Sequence, residues 1–166
     1  IKCNPAIKAA HNREALWTAL LDNRLDVIAT DHAPHTWEEK SGMYEKAHAG
    51  LPLVQHSLLL MLHYYSQGKI SLEKIAEKMS HAVADCFQVK ERGYIREGYY
   101  ADLVIADLNC PQTVKKDNIL YKCGWSPLEG FSFPASITHT FVNGHLVYGN
   151  GQWDGSNKGQ RLLFER

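Results

Sequence analysis

Apolar residues at Ala15, Leu16, Ala19 and Leu20 recur three and four apart, the spacing of one helix face. Asn12 stands ahead of them as a cap, and Asp22-Asn23 closes the segment. Leu25-Asp26-Val27-Ile28-Ala29-Thr30 follows, a short and nearly continuous apolar run with β-branched members. It predicts a strand buried on both faces, as in a parallel sheet. A helix followed closely by such a strand is the grammar of α/β folds.

Periodicity stops between Asp31 and Pro52. Pro34, Gly42, Gly50, Pro52 and the charged Glu38-Glu39-Lys40 group predict a long loop, and loops of that length are usually functional or disordered. Leu53 to Tyr65 reads as a mostly buried helix stopped near Gly68. Ser71 caps a further helix with Leu72, Ile75, Ala76 and Met79 on one stripe. His81 to Phe87 forms a shorter helix behind Ser80.

The pattern changes after about residue 90. Gly93 and Gly98 punctuate short stretches rich in Tyr, Val and Ile, and Ala101 to Leu108 holds another apolar run. Asn143-Gly144, between Phe141-Val142 and Leu146-Val147-Tyr148, is a strong hairpin signal because both turn residues tolerate positive φ. Gly149-Asn150-Gly151 reads as a turn. The chain divides into an α/β part, residues 1–90, and a small β-rich part, residues 91–166.

Composition narrows the function classes. Eighteen Lys+Arg balance 18 Asp+Glu in 166 residues, so no overall basic field draws nucleic acid or an anionic membrane. The longest apolar run, Leu58 to Leu62, is far short of the ~20 residues that cross a bilayer. Four cysteines without a Cys-x-x-Cys pair suggest reduced thiols in a cytoplasmic protein. The chain opens at Ile1 without Met, as expected of a piece of a longer protein.

The densest candidate chemistry is Asp31-His32-Ala33-Pro34-His35, at the carboxyl end of the predicted strand. Catalytic groups of α/β barrels stand at that end. One carboxylate and two imidazoles suit divalent-metal or acid–base chemistry. A turn-capping Asp with surface histidines would give the same letters.

Asp31-His32-Ala33-Pro34-His35-Thr36 with Glu38-Glu39-Lys40 resembles the dihydroorotase signature of the amidohydrolase superfamily. Lys2-Cys3-Asn4-Pro5 is similar to that family's Lys-x-Asn-Pro-Pro segment, and Trp125-Ser126-Pro127 with Glu129-Gly130 to a segment near its carboxyl end. Gly98, Ala101 to Ile105 and Asp107 resemble the small β domain that many amidohydrolases add to their barrel.

The resemblance implies the carboxyl-terminal part of a (β/α)8 barrel followed by a small β domain. It implies a zinc-dependent hydrolase, with one or two divalent ions, that interconverts the small molecules L-dihydroorotate and N-carbamoyl-L-aspartate in pyrimidine synthesis. Asp31 is then both proton carrier and metal ligand. Asn4 and His35 contact the substrate, and Ala49-Gly50 offer main-chain groups to it.

The paired histidines, bridging lysine and further histidine ligands of that family are expected upstream of Ile1, in a missing amino-terminal half. The chain by itself is therefore expected to be inactive. Subunit number stays open, a homo-oligomer included.

Some positions depart from the pattern. Lys8 stands where Arg is expected, Ala6 replaces a second Pro, Ala49 a Phe, and Leu53-Val54-Gln55 a Gly-Leu-Glu. Two other functions are compatible with the residues: a non-catalytic assembly partner, and a hydantoinase or allantoinase acting on a different ring.

Five further histidines read as structural or solvent-facing. His32 orients or packs, His56 and His63 pack within an apolar helix, and His139 and His145 belong to the β region. Trp125 reads as a packing residue, and Glu38-Glu39-Lys40 as a solvated loop face.

Overall fold

Helix α1 spans His11–Leu21 and turns Leu20 into the interior. Asn12 does not cap it. Ala9 and Ala10 already accept from the Asn12 and Arg13 N–H groups, so the turn closes earlier and Asn12 lies within it. These relationships come from a computed structural model, which describes residues 2–165.

Residues 25–30 form neither helix nor ladder. Leu25 is exposed and Ile28 half-buried, so the expected strand buried on both faces is absent among the described residues. A strand needs neighbours, and parallel pairing here is a single bridge, His32 to Leu51, where Ala33 N–H donates to the Leu51 carbonyl at 3.0 Å. Buried Lys78 ties the start of the run down, its Nζ donating to the Leu25 carbonyl at 2.8 Å.

The expected loop from Asp31 to Pro52 contains a short helix, α2, Trp37–Lys40. Thr36 Oγ1 accepts from Glu39 N–H while Glu39 Oε2 accepts from Thr36 N–H, a reciprocal capping box. A 3-10 turn, Val54–His56, leads into helix α3, Ser57–Ser66. Ser71 caps helix α4, Leu72–Ala76, by accepting from Lys74 N–H. The helical path continues through a π turn, Glu77–His81, into helix α5, Ala82–Phe87. Ser80 sits inside that turn, so the break expected behind it does not occur; left-handed Gln88 ends the run instead.

Strands β1 (Leu103–Asp107), β4 (Ser136–Val142), β5 (His145–Gly149) and β6 (Gln152–Trp153) form an antiparallel sheet in the order β1-β4-β5-β6. Strands β2 (Gln112–Thr113) and β3 (Ser132–Phe133) make a separate pair. Asn143 and Gly144 turn the β4–β5 hairpin with φ of 51° and 80°, as their sequence predicts.

Helix α3 is the shared wall of two cores. Met61 and Leu62 pack with Leu20, Ile70 and Ile75, while Leu59 packs with Val114 and Phe133. Large side chains buried this fully contribute about 1.5–3 kcal/mol each, so α3 couples the helical and β-rich regions. Buried Arg92 adds a polar lock, binding Asp102 and donating to Asn143 Oδ1 at 2.7 Å, with Tyr100 beneath its guanidinium.

Candidate active site

Asp31 follows the 25–30 run with φ of 45°, a left-handed conformation that Asp tolerates better than most residues. Its side chain is exposed, and its carboxylate has no hydrogen-bond partner among the described residues. His32 is structural. Its Nδ1 accepts from the N–H groups of Leu53 at 3.1 Å and Val54 at 3.3 Å, which places the proton of the neutral ring on Nε2. The imidazole fixes the entry to α3 directly behind Asp31.

His35 is held from several sides. Its N–H donates to the Ala33 carbonyl at 2.9 Å, and its own carbonyl accepts from Trp125 Nε1 at 2.9 Å. Its Nδ1 lies 3.4 Å from Glu39 Oε2, and its ring meets that of His48 at a tilt of 30° with centroids 4.6 Å apart. The Thr36 N–H holds the Glu39 carboxyl below its usual range, helped by the two nearby imidazoles. Glu39 is thus a fixed anion beside His35.

The main-chain groups at Ala49-Gly50 are placed by Lys40. Its Nζ donates to the carbonyls of Lys2 at 3.2 Å, His48 at 2.7 Å and Gly50 at 2.7 Å. Gly50 N–H also donates to the Lys2 carbonyl at 3.0 Å. One ammonium therefore gathers the segment leading to Asn4 and the segment carrying Ala49 and Gly50. Asn4, two residues beyond that anchor, is exposed, and its amide has no partner among the described residues.

Gly50 closes against the Asp31 loop. Its φ is 105°, and a Cβ on it would stand 2.4 Å from that of Ala33. Bridge, clamp and close approach bring three stretches together: residues 2–4, 31–35 and 48–50. Lys40, Glu39 and Trp125 are the parts that sequence reasoning missed. The Thr36-x-x-Glu39 capping signal was legible; the targets of Lys40 and Trp125 are carbonyls, which leave no letter in a sequence.

His56, His63 and His145 have partners of their own. His56 is buried, stacks on Phe133 and meets the Tyr121 hydroxyl at 3.3 Å; burial pushes its imidazole below the ordinary range. His63 Nε2 meets Gln67 at 2.8 Å, and His145 pairs with Asp154 at 3.0 Å. Each is used structurally, as its sequence setting suggests.

No group of three or more His, Cys, Asp or Glu among the described residues is arranged to hold a metal ion. Asp31 offers one carboxylate, whereas zinc takes three or four protein ligands. These residues alone therefore do not fit a zinc centre.

The amidohydrolase family profile matches residues 3–147. The chain belongs to the amidohydrolase family. Within that family it is 36% identical to the dihydroorotase of Halobacterium salinarum over 93% of its length and 34% identical to that of Pyrococcus abyssi over 99%. It is also 31% identical, over 91% of its length, to an allantoinase of Desulfitobacterium hafniense.

The chain spans only 35%, 39% and 34% of those three curated relatives. Among solved structures, a D-hydantoinase from Thermus sp. superposes with a TM-score of 0.87 at 24% identity, covering 93% of this chain and 35% of that one. An L-hydantoinase from Arthrobacter aurescens gives 0.83 at 28% identity, covering 92% and 35%. The family assignment and the α/β architecture agree. No helix of the described residues is long and apolar enough to cross a membrane.

Proposed function

We propose that this chain carries the acid–base carboxylate and the substrate loops of a dihydroorotase, a hydrolase of a small cyclic amide. The carrying observation is Asp31: an exposed, unpartnered carboxylate on a left-handed residue, beside loops clamped by Lys40. Similarity to dihydroorotases over nearly the whole chain supports the choice of ring.

Residues 1–90 form the end of the family's barrel, and residues 91–166 its small β domain, in a cytoplasmic enzyme of pyrimidine synthesis. Zinc, where bound, would lower the pKa of a water and polarise the amide carbonyl. Its remaining donors belong to the part of the protein outside these residues, consistent with the third of the relatives' length that the chain spans.

Asp31 takes the proton of the attacking water and returns it to the leaving ring nitrogen, so no charged amine anion has to form. His35 and Asn4 hold the substrate carboxylate and ring amide by donated hydrogen bonds. Main-chain groups of Ala49 and Gly50 close on the ring from the other side, where the absence of a Gly50 side chain permits close approach.

The test uses the complete gene product containing these residues, assayed with dihydroorotate. Asp31→Asn should lower kcat about a thousandfold, the scale of a lost general base, with an unchanged unfolding midpoint. Unchanged turnover overturns the assignment. His35→Ala should raise KM about tenfold with kcat nearly constant.

A second reading, a hydantoinase or allantoinase, is favoured by the fold match and the allantoinase relative. Turnover of hydantoin or allantoin in place of dihydroorotate would select it. An absence of turnover with all three, from correctly folded and zinc-loaded protein, would point to a non-catalytic assembly partner.

A further inference from the structure

Trp125 lies 90 residues beyond His35, yet its indole N–H reaches the His35 carbonyl at 2.9 Å. The peptide unit that offers this carbonyl also carries the Thr36 N–H, which donates to Glu39 Oε2 at 2.9 Å. That same oxygen faces His35 Nδ1 at 3.4 Å. One peptide plane is therefore held at both edges, by an indole and by a carboxylate. The carboxylate in turn faces the imidazole.

The indole is itself fixed. Trp37 meets it edge-on, with ring centroids 5.6 Å apart. The segment leading to it is clipped by Gln55, whose Oε1 accepts from Leu120 N–H and whose Nε2 donates to the Asn118 carbonyl, both at 2.8 Å. The Tyr121 hydroxyl accepts from Gln55 N–H at 3.0 Å. A rigid segment thus presents one donor to one carbonyl.

We propose that Trp125 is a positioning residue: through the His35–Thr36 peptide and Glu39 it sets the direction of the His35 imidazole. Rotating that peptide moves the N–H that holds Glu39, and Glu39 then no longer faces Nδ1. The consequence falls on substrate binding, because His35 holds substrate and Asp31 moves the proton. This inference rests on the substrate role proposed for His35. It assigns to Trp125 more than packing, which a plain aromatic ring would satisfy.

Trp125→Phe keeps a ring and removes the N–H. In the complete gene product it should raise KM for dihydroorotate about five- to tenfold and leave kcat within about twofold. Combined with His35→Ala, it should add less than about twofold, since both changes act through one imidazole. An unchanged KM in Trp125→Phe, beside a raised KM in His35→Ala, overturns this inference alone. So does a double variant whose effects multiply. An unchanged KM in His35→Ala overturns the substrate role of His35, and this inference with it.

Should Trp125→Phe not fold, Glu39→Ala on helix α2 removes the acceptor at the other edge of the same peptide. It should also raise KM and add nothing to His35→Ala. An unchanged KM there overturns the relay.

Discussion

Gly50 approaches Ala33 so closely that a methyl group on it would stand 2.4 Å from the Ala33 methyl. Its φ of 105° is also one that side chains rarely adopt. The two ends of the 31–52 segment meet here with no room for a side chain between them. The contact seats the Ala49-Gly50 main chain against the loop that begins at Asp31.

Gly50→Ala should therefore combine backbone strain with overpacking. We expect a loss of roughly 2–4 kcal/mol in the stability of the complete protein, measured by denaturant unfolding. Turnover should fall more than stability does, since the displaced atoms are the proposed substrate contacts. A variant as stable and active as the parent would show that the loops separate freely.

Lys40→Met keeps a long apolar stem and removes the ammonium that binds the carbonyls of Lys2, His48 and Gly50. Hydrogen bonds to a charged group contribute about 1.5–3 kcal/mol, so a stability loss of that order is expected. Hydrogen exchange is the more telling measurement. The Gly50 N–H, bonded to the Lys2 carbonyl, should exchange faster, while amides within α3 should not change. Uniform acceleration across the protein would indicate global destabilisation instead of a lost clamp.

Acid should loosen the end of the sheet. Ser156 and His145 hold the Asp154 carboxyl down to about 2, from an ordinary 3.8. A depressed folded-state value favours folding above the unfolded pKa, and the benefit is lost as pH falls from about 3.8 through about 2. Asp154→Asn should abolish that portion of the acid dependence and leave the pH 7 fold intact. The unfolding midpoint followed across that window checks this; the same acid slope in both proteins would refute it.

Much of the scaffold was legible. Ser71 caps α4, and Asn143-Gly144 turns its hairpin, because capping and positive φ depend on a residue and its immediate neighbours. The Asp31 to His35 cluster, Asn4 and Ala49-Gly50 were singled out by the family resemblance, and their roles are the proposal made above. Errors arose where a neighbouring turn or a distant partner decided the outcome. Asn12 has the side chain of a cap but lies inside a turn that Ala9 had already closed. Ser80 has the side chain of a helix start but lies inside a π turn, Glu77–His81, that joins α4 to α5. Leu25 to Thr30 has a strand's composition without a ladder among the described residues.

The order of letters determined the α/β character, the hairpin, the helix periodicities and the presence of a carboxylate beside two imidazoles, since each follows from local stereochemistry or side-chain type. Only tertiary structure decided that Lys40 binds three carbonyls, that Gly50 touches Ala33, and that Trp125 reaches the His35 peptide. The Lys40 and Trp125 contacts end on main-chain carbonyls between 8 and 90 residues away. Every residue carries the same carbonyl, so no pattern of side chains can say which one a distant donor will find.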